Sequence, residues 1–181
     1  TRLNLEMAAT KEMMSIALNV KPDMVTLVPE KREEVTTEGG LDVIKNRENL
    51  IVLIQRLSDA AIPVSLFIDP IKEQINCSAE IMSAWIELHT GKYATTKGNA
   101  QAKELAILKE SAALATSHGL RVNAGHGLTY QNVENIAAIK GMEELNIGHT
   151  IISRALAVGL SQAVKEMKSL IINPRRNNLY L

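Results

Sequence analysis

The chain has 181 residues, 46% of them hydrophobic and 22% charged, and its 20 Lys and Arg residues balance 20 Asp and Glu residues. This composition suits one globular domain over residues 1–181, and a net charge of zero gives no electrostatic reason to expect nucleic-acid binding. No apolar run approaches the ~20 residues of a membrane-spanning helix. The single cysteine, Cys77, cannot form an internal disulfide, which favours a cytoplasmic protein.

Short apolar runs alternate with longer segments of helical periodicity. The predicted strands are Leu3–Met7, Met24–Val28, Pro63–Ile68, Trp85–Leu88, Leu120–Asn123 and Leu145–Ile147. Several of these runs lack a polar face, as parallel strands covered on both faces do. Apolar stripes predict amphipathic helices between the strands, for example Leu50, Leu53, Ile54 and Leu57. A final helix is predicted from the stripe Leu160, Ala163, Val164, Met167, Leu170 and Ile171.

Alternating strands and helices predict a parallel α/β sheet, and without nucleotide-binding glycine motifs the favoured fold is a (β/α)8 TIM barrel. Polar residues follow the predicted strands, where a barrel builds its active site: Glu6, Glu30, Asp69, Glu87, His89, Asn123, His126 and His149. Only six βα units can be placed, and residue 1 is Thr rather than Met. We therefore expect the last six units of a longer barrel, with two units missing from its front.

Two Gly-His loops follow the last two predicted strands, within Asn123–Thr129 and Asn146–His149. Exposed backbone amides in such loops hold phosphate, and helices predicted to begin near Tyr130 and Thr150 would add their N-termini. The alternative is that these glycines only form turns and the histidines only make structural hydrogen bonds.

Two carboxylates lie inside apolar runs. Glu6 would be costly to bury unless paired or functional, so it is either a general base at the barrel mouth or part of a structural salt bridge. Glu87 and His89 point to the same side of one strand, so they either form an ion pair or act directly in catalysis. No Asp/His group has metal-ligand spacing, so no metal is expected.

The segment from Val35 to Gly40 follows the second predicted strand and ends in two glycines. The hydroxyls of Thr36 and Thr37 suit a substrate's oxygen atoms, and long loops of this kind often close over a site. A solvated charged loop is the alternative.

Seven ordered segments resemble the pyridoxine 5′-phosphate synthase family. They are Asn4–Ala8, Leu27–Arg32, Val35–Asp42, Val64–Asp69, Ile86–Gly91, Val122–Tyr130 and Leu145–His149. The resemblance implies a TIM barrel that condenses 3-amino-2-oxopropyl phosphate with 1-deoxy-D-xylulose 5-phosphate. The products are pyridoxine 5′-phosphate, phosphate and water. It implies octamers and gives no reason to expect a cofactor.

The resemblance also assigns roles to residues of this chain. It implies that Glu6 is a proton acceptor, His126 a proton donor and Glu87 a carboxylate that stabilises a transition state. Thr36 would contact the deoxyxylulose phosphate. The aminoketone phosphate would be held by three further residues, Gly127, Gly148 and His149.

The main departure from the family is at the front of the chain. Relatives begin with two further βα units that carry an Asn, an Asp-His and a His/Arg cluster, so we expect this polypeptide alone to be open-edged, prone to association and inactive. Two alternatives stay open. One is a non-catalytic partial barrel that acts as an assembly partner. The other is a different TIM-barrel enzyme of phosphorylated ketoses, although no Lys lies in the predicted strands to form a Schiff base.

Overall fold

The computed structural model describes residues 1–29 and 39–172. Within these residues the strands are β1 (Asn4–Ala8), β2 (Met24–Val28), β3 (Val64–Ile68), β4 (Trp85–His89), β5 (Arg121–Gly125) and β6 (Met142–Asn146). The helices are α1 (Lys11–Val20), α2 (Arg47–Asp59), α3 (Lys72–Glu80), α4 (Gly91–Thr95), α5 (Gly98–Ser117), α6 (Val133–Ala137), α7 (His149–Val158) and α8 (Leu160–Ile172).

The strands form one parallel sheet whose spatial order is the chain order, with β1 and β6 at its edges. The sheet curls. Arg2, just before β1, reaches Glu144 of β6 with 3.8 Å between guanidinium and carboxylate, although four strands separate β1 from β6. The predicted partial TIM barrel of six βα units is confirmed.

Side chains alternate between the two faces of the sheet. The outer face packs against the helices with fully buried apolar side chains: Val25, Leu27, Leu66, Ile68, Ile86, Leu88 and Val122. The intervening positions are buried but polar: Thr26, Ser65, Glu87 and Asn123. The expectation that several strands are covered on both faces is confirmed for β2, β3 and β4, but the second face is partly polar because the curled sheet encloses it around a polar interior.

The helices bury their predicted stripes to different extents. In α2 the predicted set Leu50, Leu53, Ile54 and Leu57 is buried, whereas in α8 only Ala163 and Met167 are. Two other residues of the predicted α8 stripe, Leu160 and Val164, are exposed. The reason is that α8 packs on α6 and α7 rather than on the sheet. None of the described helices combines the length and hydrophobicity needed to cross a membrane.

The last strand begins three residues earlier than predicted. Strand β6 runs from Met142, and the register with β5 shifts between Val122 and Asn123. Glu143, at this irregularity, forms an ion pair with Arg121, whose guanidinium lies 3.7 Å from the ring centroid of Trp85. Adjacent carboxylates at 143 and 144 hide this strand from an apolar pattern, since their partners, Arg121 of β5 and Arg2, are remote in the chain.

Candidate active site

Glu87 lies on the inner face of β4 with its side chain buried. Asn146, the last residue of β6, donates from Nδ2 to Glu87 Oε2 at 2.5 Å. Gly125 belongs to β5, which lies between β4 and β6, and a Cβ at Gly125 would overlap Glu87 Oε1. The carboxylate is therefore held by an amide on one side and by a bare glycine backbone on the other.

The surroundings of Glu87 change its acidity. The pKa of its carboxyl is raised to about 7: burial is the main cause, the neighbouring carboxylates of Glu6 and Glu144 add to it, and the Asn146 hydrogen bond opposes them. Glu6 stands on β1 and Glu144 on β6, so the curled sheet brings three carboxylates to one interior. A group with this pKa is partly ionised at neutral pH, and a nearby substrate cation would favour its ionised form.

We expect the free energy of unfolding to fall as pH rises from about 5 to 8, by up to about 3 kcal/mol from Glu87 alone. The native state holds the Glu87 proton up to about pH 7, whereas an unfolded Glu releases it near 4.5. Its contribution is therefore complete at low pH and lost on titration through pH 7. Urea unfolding between pH 5 and 8 measures this. Glu87→Gln should flatten the profile, and an unchanged profile in that variant would refute the assignment.

Asp69 and His89 form a second pair at the same end of the sheet. His89 Nδ1 lies 2.9 Å from Asp69 Oδ1, and the imidazole is almost fully buried. The hydrogen bond from His89 is the main reason that the pKa of Asp69 is lowered, and the backbone N–H of Gly40 contributes. An ionised Asp69 can only accept, so Nδ1 carries the hydrogen. The alternative that Glu87 pairs with His89 is wrong, since each has a different partner.

His126 follows β5 in a backbone conformation with φ of 81°, which a non-glycine residue rarely adopts. Thr90 stabilises this turn, because its buried hydroxyl lies 2.7 Å from the carbonyl oxygen of Gly125 and 2.6 Å from that of His126. The His126 ring meets the His89 ring edge-on, with centroids 4.9 Å apart. Strain of this kind, held by a surrounding hydrogen-bond network, is typical of functional sites.

Both glycine loops expose their backbone. Gly127 adopts a φ of 74°, and its carbonyl accepts from Asn132 Nδ2 at 3.2 Å. Gly148 is the N-cap of α7, and a Cβ at this position would meet nothing within 4 Å. His149, the first residue of α7, is exposed. The start of α7 is therefore accessible at Gly148 and His149, and the unbonded amides of a helix N-terminus suit an anion.

The helix predicted near Tyr130 differs from the expectation. It is α6, it begins only at Val133, and it spans five residues. Thr129 N and Asn132 Oδ1 form a 2.7 Å hydrogen bond within the preceding turn. Of the two helices expected to face a phosphate, α7 is therefore the one with a full N-terminal turn after a glycine.

The structure brings most of the sequence-predicted residues to one end of the sheet, where the strands end. Glu6 is exposed on β1, and no described residue forms an ion pair with it, which removes the salt-bridge alternative for that part of the chain. Thr36 and most of the loop from Val35 lie outside the described residues. Gly40, the second of the two glycines that end this loop, packs so closely on β3 that a Cβ would overlap the Ile68–Asp69 backbone.

Three residues make contacts in the site that the sequence does not indicate: Asn146, Gly125 and Thr90. Each acts on a residue at least 35 positions away in the chain, as the Thr90–Gly125 hydrogen bond illustrates. Asn123 adds a further feature, because its buried side-chain amide has no hydrogen-bond partner among the described residues. An unsatisfied amide beside Glu87 reduces stability and is tolerated mainly where function requires a polar interior.

Comparison with known proteins identifies close relatives. Residues 1–173 match the family described as "Pyridoxal phosphate biosynthesis protein PdxJ". A protein of Prochlorococcus marinus (strain NATL1A) named pyridoxine 5′-phosphate synthase is 76% identical over all 181 residues, which cover 74% of that relative. A protein of the same name from Synechococcus sp. (strain WH7803) is 65% identical over 180 residues, covering 99% of this chain and 73% of the relative.

Solved structures with little sequence similarity share the fold. A putative fructose-1,6-biphosphate aldolase from Coccidioides immitis aligns with a TM-score of 0.60 at 16% identity, over 91% of this chain and 61% of that one. A xylose isomerase domain protein from Planctomyces limnophilus aligns with a TM-score of 0.55 at 13% identity, over 93% and 70%. At these identities the likeness supports the barrel architecture alone.

Proposed function

The chain belongs to the pyridoxal phosphate biosynthesis protein PdxJ family, and on that premise we propose that it acts as a pyridoxine 5′-phosphate synthase. The reaction joins 3-amino-2-oxopropyl phosphate to 1-deoxy-D-xylulose 5-phosphate and gives pyridoxine 5′-phosphate, phosphate and water. The observation that carries the proposal is 76% identity over the whole chain to a relative of that name. The arrangement of Glu6, Glu87 and His126 supports it.

The first step is addition of the substrate amine to the ketone of the second substrate. The nitrogen loses a proton as its bond to carbon forms; Glu6 accepts that proton and returns it to the ketone oxygen, which becomes the hydroxyl of the addition product. Glu6 lies on the inner face of the edge strand β1, and its side chain is accessible. It has no ion-pair partner among the described residues, so its carboxylate is available to a ligand. A base that is not neutralised by a neighbouring cation keeps its capacity to accept a proton.

The second step is loss of the hydroxyl from the addition product. His126 donates a proton to this hydroxyl, which leaves as water and produces a cationic iminium. Glu87 stabilises that cation, since its pKa of about 7 allows it to ionise when positive charge appears nearby. Ring closure then needs a proton removed from carbon, again by a carboxylate in the same interior.

The substrates are held by their phosphates. The Gly127 loop and the Gly148–His149 start of α7 offer neutral N–H donors to the phosphate of the aminoketone, which fits their exposure and the space beside Gly148. Thr36 contacts the deoxyxylulose phosphate in this proposal, on the resemblance alone.

A product assay tests the function. The complete gene product, incubated with both substrates, should release pyridoxine 5′-phosphate and inorganic phosphate in equal amounts, and neither substrate alone should give product. Chromatography of the pyridoxine phosphate and a colorimetric phosphate assay measure the two yields. Absence of product, or product from one substrate only, would contradict the proposal.

We also propose a cytoplasmic octamer. Exposed apolar side chains on α7 and α8, such as Leu156 with 89% of its surface accessible, support self-association. The single buried Cys77 suits a reducing compartment. Light scattering of the purified complete protein gives the subunit number directly, and a monomer at micromolar concentration would contradict the octamer.

A further inference from the structure

The Asp69–His89 pair has no role in the reaction described above, although it lies against the proposed proton donor. The imidazole of His89 is 6% exposed, and its Nδ1 bonds to the Asp69 carboxylate at 2.9 Å. Phe67 of β3 packs against another part of the ring, with centroids 5.1 Å apart. His89 is therefore fixed in position and in tautomer, with the hydrogen on Nδ1 directed to Asp69.

The fixed His89 ring in turn restricts His126. The two ring centroids are 4.9 Å apart at an interplanar angle of 62°. Both rings converge on Gly91, the first residue of α4. A Cβ at Gly91 would lie 2.7 Å from His89 Nε2 and 3.4 Å from His126 Cδ2. Only glycine at this position leaves the two imidazoles room for this contact.

Asp69 also contacts the described end of the loop that begins after β2. The N–H of Gly40 bonds to the Asp69 carboxylate, and a Cβ at Gly39 would be 3.4 Å from Asp69 Oδ2. Lys92 contributes a favourable positive charge. Asp69 is thus an anion that interacts with a loop residue, with α4 and with β4. Such a fixed anion is better suited to orient a neighbouring group than to exchange protons with a substrate.

We propose that Asp69 and His89 are positioning residues for His126: Asp69 orients His89, and the His89 ring holds His126 at the angle needed to donate its proton. The role of His126 rests on the proposed function, whereas the arrangement of the three side chains does not. A donor must lie within hydrogen-bond reach of the departing hydroxyl, so small rotations of its ring lower the rate without preventing binding.

The test is a comparison of Asp69→Asn, Gly91→Ala and His126→Asn in the complete gene product. Asp69→Asn and Gly91→Ala should each lower kcat about tenfold or more, which is part of the 10²–10⁴-fold that a well-placed general acid contributes. The KM values of both variants should stay within about twofold of the wild-type values. Combining either with His126→Asn should add no further loss, because both act through that ring. ¹⁵N NMR of the histidine rings should show His89 protonated on Nδ1, and Asp69→Asn should alter both the His89 and the His126 signals.

Matched controls are Asp59→Asn at the exposed end of α2 and His118→Asn at the exposed end of α5, both expected to leave kcat unchanged. Wild-type kcat in Gly91→Ala, or an undiminished Asp69→Asn effect in the His126→Asn background, would overturn the proposal. If Asp69→Asn does not fold, Gly91→Ala decides alone. If the wild type makes no product, the proposed function fails, and the NMR spectra still decide whether Asp69 orients His89 and His126.

Discussion

Glu6→Gln should lower kcat about 10²–10⁴-fold, the contribution of a general base, because Gln keeps the shape of the side chain but cannot accept the proton of the substrate amine. The free energy of unfolding should change by less than about 0.5 kcal/mol, since Glu6 is exposed and has no ion-pair partner among the described residues. Steady-state kinetics with both substrates and urea unfolding of the same preparations measure the two quantities.

The matched control is Glu12→Gln, an exposed carboxylate in the first turn of α1. It should leave kcat unchanged. Near-normal turnover in Glu6→Gln would remove Glu6 from the mechanism. A loss of several kcal/mol of stability would instead assign it a structural role.

Gly125→Ala adds a single methyl group but should lower kcat about 10²–10³-fold, as removal of a transition-state stabilising group does. The new Cβ would overlap Glu87 Oε1 and lie 3.2 Å from both the Cβ and the carbonyl oxygen of Asn146. The Glu87 carboxylate must then leave its hydrogen bond with Asn146. Crowding of this kind also costs about 1–3 kcal/mol of stability.

A double-variant comparison separates this effect from general damage. In a Glu87→Gln background, Gly125→Ala should produce little additional loss of kcat, because the group that it displaces is already neutral. Additive losses in the double variant would show that Gly125 supports catalysis by a route other than Glu87, and would contradict the account of this contact.

The sequence predicts the architecture well because strands and helices alternate at short range. The strand Met24–Val28 is predicted with its observed bounds, and the buried stripe of α2 is predicted in full. Prediction is poorer where an element depends on remote partners. Strand β6 carries two adjacent carboxylates, and one of them becomes compatible with a strand only through Arg121 of β5.

The candidate site is predictable to a similar degree. Polar residues at strand ends point to the mouth of the barrel, where Glu87, His89 and His126 do lie together. The pairing within the site is not predictable, since Glu87 and His89 share a strand face yet bond to Asn146 and Asp69, which come from different strands or their ends. Such contacts depend on register and on where glycine leaves space, as at Gly91 and Gly125.

The central claim is that one phosphorylated aminoketone lies between the Gly127 loop and the start of α7, facing Glu6, Glu87 and His126. A crystal structure of the complete protein with 3-amino-2-oxopropyl phosphate tests this most directly. The phosphate should bind at the N–H groups of Gly127 and His149, with the amine toward Glu6. A phosphate bound elsewhere, for example in the groove lined by Lys109 of α5 and by Lys140 in the segment after α6, would contradict this claim.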